Sequence, residues 1–240
     1  MSLLQIPVYR GASRSLLVTP PIEDFFGKDG LGDFVYPDPP NPSDCISKEH
    51  AAIALVRLVT QYPNQITLLC LGPLTNVALA IRLDPLFITK VKQIIILGGS
   101  TEGVGNVRPG VEFNFYVDPE ANFIVFDAVA SSAHNTASPI VLLPWESVVK
   151  RNVISMQLRN EDVKHWHSAD ALATAVALDP SLVAQASQRL HAVPEVQGTH
   201  ARGSLFVDYG RTLIDVNPNV VIVESLELPR YKKMLLGFLT

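Results

Sequence analysis

The chain has 240 residues, of which 48% are apolar and 18% charged, and its net charge is −4. That is enough chain for one large α/β domain with a sizeable core. The balance lacks the basic face with which nucleic-acid-binding proteins meet phosphate. Two cysteines, Cys45 and Cys70, are too few for a disulfide framework. No stretch reaches the roughly 18 apolar residues that a membrane span needs, and the opening MSLLQIPVYRGASRS lacks the apolar core of a secretory leader. The default expectation is a cytoplasmic protein without membrane or nucleic-acid partners.

Taken in chain order, the first expected helix runs from Lys48 to Tyr62, with Ser47 as its N-cap and Ala52, Leu55, Val56 and Val59 as its apolar stripe. Ile66 to Leu71 is a short apolar run ended by Gly72-Pro73, after which Leu74 to Leu83 looks helical. Lys92 to Leu97 repeats the pattern and stops at Gly98-Gly99. Short apolar runs of this kind suit parallel strands buried on both faces. Asp118-Pro119-Glu120 opens another helix, with proline at its first position and an acid in its first turn. Further strands are expected at Pro139 to Leu143, Arg189 to Val196 and Asn219 to Glu224, and a buried helix at Asp170 to Leu178. A last helix carries Tyr231, Met234, Leu235 and Phe238 on one face. The alternation predicts an α/β fold, a mostly parallel sheet flanked by helices. Two long irregular stretches remain, Thr19 to Asp44 and Gly98 to Val117. The second leaves the C-terminal end of a strand, where open α/β sheets place ligands.

Within that second stretch Asn106, Glu112 and Asn114 are candidate binding residues. In an extended backbone Glu112 and Asn114 point to one side and Phe113 to the other. A carboxylate beside a carboxamide suits a polyol, because each hydroxyl both donates and accepts. A solvated loop anchored by Phe113 is the plain alternative. Gly98, Gly99, Gly103 and Gly105 resemble a dinucleotide fingerprint only weakly, since no amphipathic helix follows them. Asp170 is either a helix-capping acid or a ligand for a hard cation, for which Leu71 could add a backbone carbonyl. One carboxylate and one carbonyl fall short of the roughly 6–8 oxygens that Ca²⁺ takes.

Together the segments PVYRGA (7–12), GKDGLGD (27–33), LGPLTNVALA (71–80), ILGGS (96–100), EFNFYVDPEA (112–121) and ADALA (169–173) resemble the inosine–uridine nucleoside hydrolase family. The matches span nearly the whole chain in the family's order. The resemblance implies hydrolysis of the N-glycosidic bond of ribonucleosides, a Ca²⁺ cofactor, a nucleoside hydrolase fold with a Rossmann-like core, and a homo-oligomer. It implies that Asn106, Glu112 and Asn114 grip ribose hydroxyls and that Leu97 lines the sugar pocket. It further implies that the Leu71 carbonyl and Asp170 are calcium ligands, the metal activating a water that attacks through an oxocarbenium-like state.

The departures from the family are as informative. Its opening D-x-D-x-x-x-D-D cluster, source of the other metal ligands and of the base, has no counterpart here. The resemblance therefore implies a single nucleoside hydrolase-like domain over 1–240 that lacks its first two βα units, about 60 residues at typical unit size. No catalytic base is identifiable. Ala169 stands where many members carry histidine, with His165 and His167 nearby, and Phe26 replaces another frequent histidine. The expected activity is consequently impaired or lost. The alternatives left open are a non-catalytic riboside-binding or regulatory subunit-like protein and a different nucleotide-binding α/β protein. A missing strand would also bare sheet edge and apolar helix faces, so poor solubility or self-association is expected.

Overall fold

The uninterrupted apolar runs become strands covered on both faces. The computed structural model describes residues 6–21, 27–29, 32–35, 37, 41–132, 137–152 and 168–238. Phe26, His165 and His167 lie outside these. The first elements are β1 (Val8–Arg10), α1 (Pro42–Cys45), β2 (Ile46–His50), α2 (Ala51–Gln61), β3 (Thr67–Cys70), α3 (Thr75–Leu83) and α4 (Phe87–Lys90). β4 (Gln93–Leu97), α5 (Phe113–Val117), α6 (Pro119–Ala130) and β5 (Ile140–Leu143) follow, then a π-helical turn at Ser147–Arg151. The described chain ends with α7 (Ala169–Leu178), a 3-10 turn, β6 (Val183–Ala186), β7 (Ala192–Pro194), β8 (Leu205–Val207), β9 (Val220–Leu226) and α8 (Leu228–Gly237).

The main sheet has the order β3-β4-β5-β9-β6. Its first four strands run parallel, with Leu69 opposite Ile95, Ile96 opposite Leu142, and Leu142 opposite Ile222. β6 closes one edge antiparallel to β9. Alternate strand residues enter two separate cores. Leu68, Cys70, Ile94, Ile96, Ile140, Leu142, Val220 and Ile222 pack with Val59 of α2, Ala78 and Ile81 of α3, and Val125 and Phe126 of α6. Ile95, Leu97, Leu143 and Val223 face the other way, onto Leu172, Ala173 and Val176 of α7 and Tyr231 of α8. Period-2 geometry with apolar partners on both sides is why these runs show no polar alternation.

Three expectations are corrected. The helix over 48–62 starts at Ala51. Ile46–His50 instead pairs in parallel with β1, and His50, not Ser47, caps α2 by accepting from the Ala52 N–H through Nδ1 at 3.2 Å. The strand expected over 189–196 shrinks to β7, because Leu190 is drawn into a bridge with Val220. On the last helix Tyr231, Met234 and Leu235 do reach the core, but Phe238 falls at the C-cap and is exposed.

The recurring motif segments are tied to one another. Asp118, fully buried, caps α6 by accepting the Ala121 N–H at 3.1 Å. Its other oxygen accepts the Thr75 hydroxyl at 2.6 Å and the Leu16 N–H at 3.0 Å. Asn76 accepts the Ala12 N–H at 2.8 Å, and a Cβ on Gly11 would stand 2.5 Å from its amide nitrogen. The TN of GPLTN thus holds the DPEA and PVYRGA segments in place beside the end of β3. Removing one partner of a buried charge leaves it unsatisfied. Thr75→Val is expected to lower the unfolding free energy by about 1–3 kcal/mol, read as a lower urea midpoint with an unchanged slope.

Candidate functional site

The site forms where β3 and β4 end side by side. Asn114 donates its side-chain amide to the carbonyls of both Leu97, at 3.0 Å, and Leu71, at 3.3 Å, bridging the two strand ends. With both amide hydrogens committed, its Oδ1 is left as an acceptor. Leu97 is buried and Leu71 partly exposed, so the Leu71 carbonyl stands at the rim.

Glu112 lies beneath, only 5% exposed. Its Oε2 accepts from the Gly99 N–H at 2.9 Å and the Phe115 N–H at 3.4 Å, and both oxygens accept from the Asn114 N–H at 3.0 Å. These contacts correct the extended backbone expected at 112–114. Glu112 is the N-cap of α5, and the chain turns helical at Phe113 because the carboxylate satisfies first-turn N–H groups. Burial pushes the Glu112 carboxyl up to about 7; its backbone hydrogen bonds oppose the rise, and the nearby Asp170 charge adds to it. The two glycines after β4 fit this closeness and not a nucleotide fingerprint. A Cβ on Gly98, at φ +154°, would sit 2.9 Å from the Phe115 ring and 3.0 Å from Glu112 Oε2.

Asn106 joins the group from the loop, its Oδ1 accepting the Phe113 N–H at 2.8 Å. The structure therefore brings Asn106, Glu112, Asn114 and the ends of β3 and β4 together. Asp170 approaches from the first turn of α7, whose Leu172, Ala173 and Val176 share a core with Ile95 and Leu97. Ser168 is the N-cap of α7, its hydroxyl held by Tyr231 at 2.8 Å. Asp170 is therefore a first-turn acid and not the N-cap, and its carboxylate accepts no hydrogen bond from the described residues. Desolvation pushes its pKa up.

The expected calcium ligands do not by themselves make a shell. Among the described residues no three His, Cys, Asp or Glu side chains converge, and the Leu71 carbonyl already accepts the Asn114 amide. Two oxygen donors fall short of the roughly 6–8 that Ca²⁺ takes. What the strand ends gather is acceptors (Asn114 Oδ1, Glu112, Asp170 and a strand-end carbonyl), which suit the hydroxyl donors of a sugar. An apolar cleft of about 330 Å³ along the outer edge of β3, lined by Leu55, Leu58, Leu68 and Leu69, includes none of these groups.

The comparisons with known proteins fit this arrangement. Residues 1–233 match the family model described as inosine-uridine preferring nucleoside hydrolase. The chain belongs to this family. Uridine nucleosidase 1 of Arabidopsis thaliana is 46% identical over 127 residues, 52% of this chain and 37% of that protein. Probable uridine nucleosidase 1 of Oryza sativa subsp. japonica is 45% identical over 128 residues, 52% of this chain and 39% of that protein. The matched stretch thus spans under two-fifths of these plant relatives. Among solved structures, an inosine-guanosine nucleoside hydrolase superposes with a TM-score of 0.84 at 26% identity, covering 96% of this chain and 80% of that one. A plant nucleoside hydrolase does so at 0.75, also at 26% identity, with 96% and 79% covered.

One pH effect follows from the burial of Glu112. Folded, it keeps its proton up to about pH 7, whereas the unfolded carboxyl releases it near 4.5. Its contribution to stability is present in full below the lower value and is lost as pH rises through the upper one. Relative to Glu112→Gln, the native chain is expected to lose about 3 kcal/mol between pH 4 and pH 8. Urea unfolding of both proteins at the two pH values measures the difference, and an equal pH dependence would contradict it.

Proposed function

We propose that the protein acts on ribonucleosides, and that this chain carries the ribose-binding side of a site for hydrolysing the N-glycosidic bond to ribose and free base. The observation that supports this reading most directly is Asn114 joining the Leu71 and Leu97 carbonyls above the buried Glu112. Asn114 Oδ1 and Glu112 accept hydrogen bonds from ribose hydroxyls, Asn106 adds a contact from the loop side, and Leu97 lines the sugar pocket. Asp170 and the Leu71 carbonyl offer two oxygens to a hard cation, in the direction of the Ca²⁺ that the resemblance implies. These two oxygens alone do not complete a Ca²⁺ shell.

Glycosidic hydrolysis needs a group that takes the proton of the attacking water. Glu112 is committed to three backbone N–H groups, and among the described residues Asp170 is the other carboxylate at these strand ends. The proposed activity of the chain as it stands is therefore weak or absent. The donor count favours one further reading, a riboside-binding protein that does not turn over. In both readings the setting proposed is cytoplasmic. Self-association is proposed through the exposed Ile6, Val8, Leu17, Val18, Phe34 and Val35 and the outer edge of β3.

Release of free base from inosine, uridine, adenosine and cytidine, with Ca²⁺ and with a chelator, tests the assignment by chromatography. The expected result is D-ribose binding with no calcium-dependent release above the uncatalysed background. Calcium-dependent turnover would show that Asp170 or another group serves as the base, and would contradict the proposed impairment. Absence of both binding and turnover from a cooperatively folded chain would contradict the ribose reading itself.

A further inference from the structure

The loop carrying Asn106 leaves β4 at Leu97, and a single buried carboxylate organises its first half. Glu146, fully buried just beyond the end of β5, accepts four hydrogen bonds from that loop. Its Oε1 takes the Ser100 hydroxyl at 2.5 Å and the N–H groups of Val104 and Glu102 at 3.1 and 3.3 Å, and its Oε2 takes the Thr101 N–H at 3.0 Å. Burial opposes a charge there, but the hydroxyl and the N–H groups outweigh it and hold the carboxyl below the usual range. The neighbouring Trp145 N–H donates to the Gly99 carbonyl at 2.9 Å. On the outer side, Glu102 pairs with Lys150 at 2.8 Å and with Arg151.

The second half of the loop takes its register from the first. Ser100, while donating to Glu146, accepts the Gly105 N–H at 3.1 Å. Gly105 has φ +64°, and a Cβ there would lie 2.1 Å from the Arg108 carbonyl, so the turn closes tightly. The Asn106, Val107 and Arg108 N–H groups all reach the Val111 carbonyl, at 3.1, 3.2 and 3.4 Å. Asn106 then meets the Phe113 N–H, one residue beyond Glu112.

We propose that Glu146 is the positioning residue of the ribose site: by fixing residues 99–105 against the end of β5, its carboxylate sets Asn106 beside Glu112. Glu146 does not contact the sugar and acts only through the loop. The proposal rests on the reading of Asn106 as a ribose contact. A buried acid that merely stabilised the fold would loosen the sheet when replaced. One that positions the loop would loosen residues 99–111 and leave β4 and β5 intact.

A double-mutant cycle separates these roles. D-ribose is titrated calorimetrically into the native chain, Glu146→Gln, Asn106→Ala and the double variant, with amide hydrogen exchange followed in parallel. Glu146→Gln is expected to weaken ribose binding at least about fivefold in the native background and less than about twofold when Asn106 is already alanine. Exchange is expected to quicken at least about tenfold over 99–111 while 93–97 and 140–143 stay unchanged. Equal weakening in both backgrounds, or exchange that quickens everywhere or nowhere, would overturn the proposal. If the native chain binds no ribose, the reading of Asn106 fails, and exchange alone decides whether Glu146 orders its loop. Should Glu146→Gln not fold, Ser100→Ala cuts the same link at one bond, and the same loop-confined pattern is required of it.

Discussion

A carboxylate nearly cut off from water has to be satisfied by protein, and Glu112 imposes that requirement on everything around it. The backbone turns into α5 at Phe113 to supply N–H groups. Gly98 must lack a side chain to let Phe115 and Glu112 approach the end of β4. Once α5 has started, Asn114 is aimed back at the two strand ends, and its amide holds the carbonyls of Leu71 and Leu97. An acceptor-rich surface results from cap chemistry applied at the carboxyl end of a parallel sheet.

The sheet makes that surface rigid. Its strands are buried alternately into two cores, so neither face can shift without disturbing packing on the other. α7, which brings Asp170, rests on the same core as Leu97 and Ile95. Several residues of the family-like motifs serve this framework. Thr75, Asn76 and Asp118 bind other segments of the chain, which is a physical reason for their motifs to occur together.

Elements whose signal is local were the legible ones. β4 and β5 read as buried strands because both faces meet apolar side chains, and α6 because Asp118 and Pro119 state its start in adjacent residues. β1, β2 and β6 carry little such signal: they are short and largely exposed or half-buried, and exist through partners distant in sequence. At the site, Asn106, Glu112 and Asn114 were identifiable as a group, whereas the alternation of Glu112 with Asn114 misled as to backbone shape. A carboxylate that caps its own following turn overrides the period-2 pattern. Glu146 could not be found from the sequence by its contacts, since its partners lie more than 40 residues earlier and are mostly backbone N–H groups. An acid shortly after an expected strand end, beyond Pro144 and Trp145, was the signal available.

The most direct measurement of the account is the affinity of the purified chain for D-ribose against 2-deoxy-D-ribose at neutral pH. If Asn114 and Glu112 receive ribose hydroxyls, removing one hydroxyl leaves a buried acceptor unpaired, at about 1–3 kcal/mol. Ribose should then bind at least about five times more tightly than its 2-deoxy analogue. Equal affinity for the two sugars would contradict the claim that this surface is built to recognise ribose.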